Sequence, residues 1–141
     1  MSSLRLLAPP AHAVQLLTWN LTSGDDLGEI RAEIHRHFED GLSELAGRMA
    51  LVVTELAGNA LRHGRPPVVV QVLQDADCYL LDVADHAPEH VPHLAAPTSS
   101  VLPGGRGLLI ASTLAQQLCW YPGDRTKHVW ASFPARDEPM S

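Results

Sequence analysis

The chain predicts an α+β fold, a two-layer sandwich, on three observations. Apolar residues recur at helical spacing over two successive stretches between Leu27 and Ala60. From Val68 onward the pattern changes to short apolar, partly β-branched runs separated by turn residues. A single strand-like run precedes the helices. Helices gathered early and strands joined by short turns pack as a mixed, mostly antiparallel sheet covered on one face by about three helices.

Residues 1–12 carry no periodicity and read as a flexible N-terminal arm, residues 13–134 as one domain, and residues 135–141 as a flexible tail. Val14 to Leu21 has strand character. Ser23 to Asp26 supplies a helix start, with acidic side chains favouring the positive end of the helix dipole. Leu27, Ile30, Ile34 and Phe38 then give an amphipathic helix ending near Gly41. Leu45, Met49, Val52, Val53, Leu56 and Ala60 trace a second helix, which Gly64 and Pro66-Pro67 terminate. Val68–Leu73 and Cys78–Ala84 read as strands around a turn. Residues 86–104 hold no periodicity, and a structureless stretch of that length is usually functional. A third helix runs from Gly105 through Leu114. Strands near Leu118–Tyr121 and His128–Phe133 flank a Pro122-Gly123 turn.

Composition narrows the function. The 141 residues are one ordinary domain, long enough to bury roughly two-thirds of the unfolded surface. A net charge of -6 lacks the basic surface that counterion release requires, so no direct nucleic-acid contact is expected. Lys127 is the only lysine, which excludes a Walker-type phosphate loop and leaves no strand lysine of the protein-kinase kind. Cys78 and Cys119 have no CxxC spacing and read as small hydrophobes in a reducing compartment. Pro9-Pro10 and His12 interrupt the apolar start, which argues against a signal peptide, and no run approaches ~20 apolar residues. A cytoplasmic protein that does not meet a membrane is expected.

Three segments carry chemistry. Glu55, Asn59 and His63 stand at i, i+4 and i+8 of the second helix, so they share one face. The stripe is either a solvated helix edge or a ligand wall, because polar groups beside a buried face are costly when unpaired. Asp85 lies just beyond a strand and is either a turn aspartate or an acceptor for an exocyclic amine such as that of adenine. Gly104, Gly105 and Gly107 fall within four positions at a helix start, where backbone N–H groups can approach an anion. The glycines may equally be a simple loop-to-helix link.

In this order the segments resemble the nucleotide-binding boxes of the GHKL ATPase superfamily. The likeness is greatest to its small bacterial branch of anti-sigma factor serine kinases and histidine-kinase-like ATP-binding domains. Glu55-x-x-x-Asn59-Ala-x-x-His63-Gly64 looks like the N box, Asp85-His86-Ala87-Pro88 like a degenerate G1 box, and Gly105-Arg106-Gly107-Leu108 like the G2 box. The resemblance runs from about Val14 to Phe133 and implies the Bergerat-type ATP-binding fold.

It implies that ATP and Mg²⁺ are the cofactors. Asn59 would supply an oxygen ligand to Mg²⁺, a hard cation. Glu55, at the general-base position, would be catalytic. Asp85 would hold the adenine amine, with Ala87 following it in the box. Residues 86–104 would form the lid over the nucleotide. Gly105 and Gly107 would present backbone to the phosphates, with Leu108 completing that box. Arg106 would add positive charge there or point to solvent, and His63 would sit at the nucleotide edge or cap the helix. Ala87 and Glu89 stand where the fuller G1 box has glycines, and Glu89 places a negative charge in the lid.

The function implied is an ATP-binding regulator, an anti-sigma factor-type serine/threonine protein kinase. Its partners would be a sigma factor, an anti-anti-sigma antagonist that it phosphorylates, or both. The alternative is a catalytically silent ATP-binding or protein-binding switch of the same fold. The apolar face of the first helix would permit a homodimer. His86, His90 and His93 in one loop lack a scaffold and a fourth ligand for zinc, and His35 and His37 face apart on their helix.

Overall fold

The computed structural model describes residues 4–38, 43–89, 92 and 107–135. Their elements run β1 (Arg5–Leu6), β2 (Val14–Leu21), a single 3-10 turn (Gly24–Asp26), α1 (Leu27–His37) and α2 (Ser43–His63). They continue with β3 (Val68–Asp75), β4 (Cys78–Asp85), α3 (Gly107–Leu114), β5 (Gln117–Pro122) and β6 (Lys127–Pro134). The six strands form one sheet in the order β1-β5-β6-β4-β3-β2. Only the β1–β5 pair is parallel; the other four pairs are antiparallel. The architecture is the α+β sandwich expected from the sequence.

Period-two alternation decides which face meets the helices. Val68, Val70 and Val72 of β3, Leu81 and Val83 of β4, and Val129, Ala131 and Phe133 of β6 are all buried in the main core. Helix α1 adds Ile30 and Ile34, α2 adds Leu45, Met49, Val52, Val53 and Leu56, and α3 adds Leu108 and Ala111. These are the positions at helical spacing that drew the helices in the sequence. The apolar face of α1, a candidate dimer surface from sequence, is spent inside the chain: Ile30 is 1% and Ile34 0% exposed.

The opposite face carries a smaller cluster of Leu80, Cys119 and Trp130, with Ala13, Leu73 and Tyr121 against it. Here the structure departs, at residues 4–7, from the sequence expectation of a loose arm over residues 1–12. Leu4 is buried in the main core, and Arg5 and Leu6 pair with Cys119 and Trp120. Leu7 is held twice, its N–H donating to Trp120 O at 3.0 Å and its carbonyl accepting from Trp130 Nε1 at 2.7 Å. A two-residue strand has no alternation to read, and its partners lie at the far end of the chain.

Element ends moved outward in a way that matters. Asp85 is the last residue of β4 rather than a residue beyond it, and Lys127 opens β6. Helix α3 is described from Gly107; Gly105 and Arg106, with which the sequence began it, lie outside the described residues. Most of the expected lid, residues 86–104, also lies outside them. No helix among the described residues is long and apolar enough to cross a membrane.

Candidate functional site

The described members of the predicted site gather where α2 ends, at the adjoining ends of β4 and β6 and the start of α3. Helix α2 places Glu55 and Asn59 on one half-buried edge and leaves His63 exposed. Glu55 is brought against Gly107: a Cβ on that glycine would stand 2.9 Å from Glu55 Oε1. The carboxylate can approach this closely because residue 107 has no side chain. Among the described residues, no hydrogen bond or ion pair engages the side chain of Glu55 or of Asn59.

One turn past Asn59 the helix meets Asp85. The Gly64 N–H donates to Ala60 O at 2.8 Å, closing the last turn. Gly64 ends the helix, as the sequence suggests, without entering the left-handed region. Its role is close approach. A Cβ there would lie 2.3 Å from Asp85 Cγ, 2.5 Å from Oδ2 and 2.7 Å from the Ala60 carbonyl oxygen.

Asp85 itself is 2% exposed. Its Oδ1 accepts the Ala87 N–H at 2.7 Å, so Ala87 contributes its backbone to holding the carboxylate, and its methyl is fully buried. Its Oδ2 lies 3.3 Å from Lys127 Nζ. Leu108, from the glycine-rich box, places its side chain in the core. Gly105 and Arg106 of that box lie outside the described residues.

The segments after α2 and after β4 are knitted together. His86 N–H donates to Arg65 O at 2.9 Å, Arg65 Nε donates to His86 O at 3.2 Å, and His86 Nδ1 meets Pro67 O at 2.9 Å. Arg65 Nη2 also pairs with Glu89 Oε2 at 2.5 Å. The negative charge of Glu89 is therefore matched by Arg65. Of the histidine trio weighed for zinc, His86 is thus tied to backbone, while His90 and His93 lie outside the described residues. No group of three metal-ligating side chains occurs among the described residues.

Two features escaped sequence reasoning. Lys127 joins the site from β6, and its standing as the only lysine was the sole signal available. On the opposite face of the sheet, His128 Nδ1 bonds Asp82 Oδ1 at 2.8 Å and its Nε2 bonds Thr126 Oγ1 at 3.0 Å. Tyr121 stacks on His128 with ring centroids 4.4 Å apart, and its hydroxyl donates to Asp82 Oδ2 at 3.4 Å. Burial, and then the Asp82 carboxylate, push the Tyr121 hydroxyl up to about 12. This network satisfies the nearly buried Asp82 on that face.

A family model described as a histidine kinase-like ATPase domain matches residues 23–133. Among solved structures, the Acinetobacter baumannii histidine kinase AdeS is similar with a TM-score of 0.50 and 13% identity, over 88% of this chain and 70% of that one. The histidine kinase domain of the Erythrobacter litoralis EL346 blue-light activated histidine kinase matches with a TM-score of 0.45 and 24% identity, over 79% of this chain. The chain spans 60% of the length of that domain. No curated protein sequence matches the chain. The family match covers the three helices, strands β3 to β6 as far as Phe133 and every described residue of the candidate site, and so the chain belongs to the histidine kinase-like ATPase domain family.

Proposed function

We propose that this ATP-binding domain is an Mg-ATP-dependent serine/threonine protein kinase of the anti-sigma factor type. It would bind a sigma factor and phosphorylate an anti-anti-sigma antagonist protein in the cytoplasm, without contacting nucleic acid or membrane. The observation that carries the reading is Glu55 beside Gly107. A carboxylate at the general-base position packs closely against the glycine that opens α3, where a helix N-terminus favours negatively charged groups.

The chemistry of the surrounding residues fits Mg-ATP. When bound, that group supplies an activated phosphoryl group. Asn59, one turn from Glu55 and with no side-chain hydrogen bond among the described residues, would offer its amide oxygen to Mg²⁺. Asp85 would hold the base, and Gly107 would let backbone approach the phosphates. Glu55 would take the proton of the attacking serine or threonine hydroxyl. Positioning and charge neutralisation do most of the work in phosphoryl transfer, so the protein needs little more. The anti-sigma assignment rests on the motif order in the sequence. A pair of chains would need a surface other than the apolar face of α1, which is buried within the chain.

Labelled ATP with a candidate antagonist protein tests the proposal. Phosphate on an antagonist hydroxyl, lost in Glu55→Ala with ATP binding retained, is the expected result. Tight ATP binding by the wild type with no transfer would overturn it. The second reading, a catalytically silent switch, is favoured by the irregular G1 box, with Ala87 and Glu89 where the fuller box has glycines. Regulation in cells unchanged by Glu55→Ala would select that reading.

A further inference from the structure

Lys127 is the only lysine of the chain, and it is 4% exposed. Strands β4 and β6 pair it directly with Asp85, and directly opposed residues of an antiparallel pair project from the same face. The result is the 3.3 Å contact between Nζ and Oδ2. Lysine is almost never buried this far without a partner. Nor does such a pair generally favour folding: an apolar pair of similar volume is often as stable or more so, because both ions give up water. Stability alone does not account for these two residues, and they sit where the base of a nucleotide would be read.

The carboxylate cannot turn away from the lysine. Ala87 N–H holds Oδ1 at 2.7 Å, and the Gly64 backbone lies close behind Cγ and Oδ2. A lone carboxylate is an acceptor only. It takes the 6-amino group of adenine and repels O6 of guanine. A carboxylate with an ammonium beside it offers both an acceptor and a donor. Adenine can then set its amino group on Asp85 and N1 on Lys127. Guanine can set O6 on Lys127 and its N1–H and 2-amino group on Asp85.

Resting on the nucleotide-binding reading above, we propose that Asp85 and Lys127 together read the purine edge, and that the site therefore admits 6-oxopurine nucleotides such as GTP as well as ATP. Calorimetric titration of the full chain with the non-hydrolysable β,γ-imido analogues of ATP and GTP, in Mg²⁺, tests it on wild type and Lys127→Met. Wild-type affinities for the two analogues are expected within about tenfold of each other. In Lys127→Met the guanine analogue should lose about 30-fold more affinity than the adenine analogue, because a site that leaves a polar partner unmatched discriminates strongly. A larger wild-type preference for adenine overturns the inference, as does an unchanged ratio in folded Lys127→Met. The wild-type ratio needs no variant, so the inference stays testable if Lys127→Met does not fold. Adenine binding with guanine rejected removes this inference alone. Binding of neither analogue by the wild type removes the nucleotide reading with it.

Discussion

Gly64→Ala is the most informative single substitution, because it puts one methyl group into the back of the Asp85 site. The new Cβ would stand 2.3 Å from Asp85 Cγ, 2.5 Å from Oδ2 and 2.7 Å from Ala60 O, whereas ordinary contact begins near 3.4 Å. Relief requires a displacement of about 1 Å at the least. The Ala60 carbonyl is helix backbone, and it already accepts the Gly64 N–H at 2.8 Å. The carboxylate must therefore yield, from a place where it holds Ala87 N–H at 2.7 Å and Lys127 Nζ at 3.3 Å. Overpacking of this kind costs ~1–3 kcal/mol. Disrupting a buried ion pair approaches ~3–5 kcal/mol. The expected loss is about 3 kcal/mol, a large share of the ~5–15 kcal/mol that holds a small domain folded. Urea unfolding measures it as a fall in midpoint at constant slope. Two controls isolate the cause. Gly64→Asn, which suits a left-handed helix end, should be no better than alanine. In an Asp85→Ala background the Gly64→Ala cost should fall by at least ~1 kcal/mol, since the two sites are in contact. An unchanged midpoint, or an equal cost in both backgrounds, refutes the close-approach explanation.

Gly47→Ala should stabilise the protein by ~0.5–1 kcal/mol, because a mid-helix glycine is penalised relative to alanine and no atom lies within 4 Å of the new Cβ. Denaturant melts read this directly, and a loss of stability would contradict it. Ser132→Ala should be neutral or stabilising by ~1 kcal/mol, since the buried Oγ has no hydrogen-bond partner among the described residues; marked destabilisation would reveal a bond to that hydroxyl. Tyr121 has its hydroxyl raised from 10.0 to about 12 in the folded state. Below the unfolded value its contribution is fully present, and between pH 10 and 12 the unfolded chain loses a proton that the native one keeps. Stability should therefore fall across that window. Tyr121→Phe should flatten the fall in pH-dependent melts, with tyrosinate absorbance as a second readout, and an unaltered slope would exclude the mechanism.

Helices α1 and α2 were legible because Ile30, Ile34, Met49, Val53 and Leu56 recur at a period that backbone geometry imposes locally. The stripe of Glu55 and Asn59 was legible for the same reason, and Asp85 stood out at the end of an apolar strand. The docking of Leu4 to Leu7 was hidden, since a two-residue strand carries no periodicity and its partners belong to β5 and β6. The Asp82, Thr126, His128 and Tyr121 network was hidden likewise, because it joins side chains from three separate segments.

The order of the polar residues, the helical face they share and the sheet-and-helix composition were determined by the sequence itself, through short-range sterics and burial. Only the tertiary structure decided what surrounds Asp85. Sheet register sets Lys127 opposite it, and the end of α2 brings Gly64 against its carboxylate. Both contacts depend on how elements distant in the chain pack. Spacing along one segment cannot encode the distance between two others.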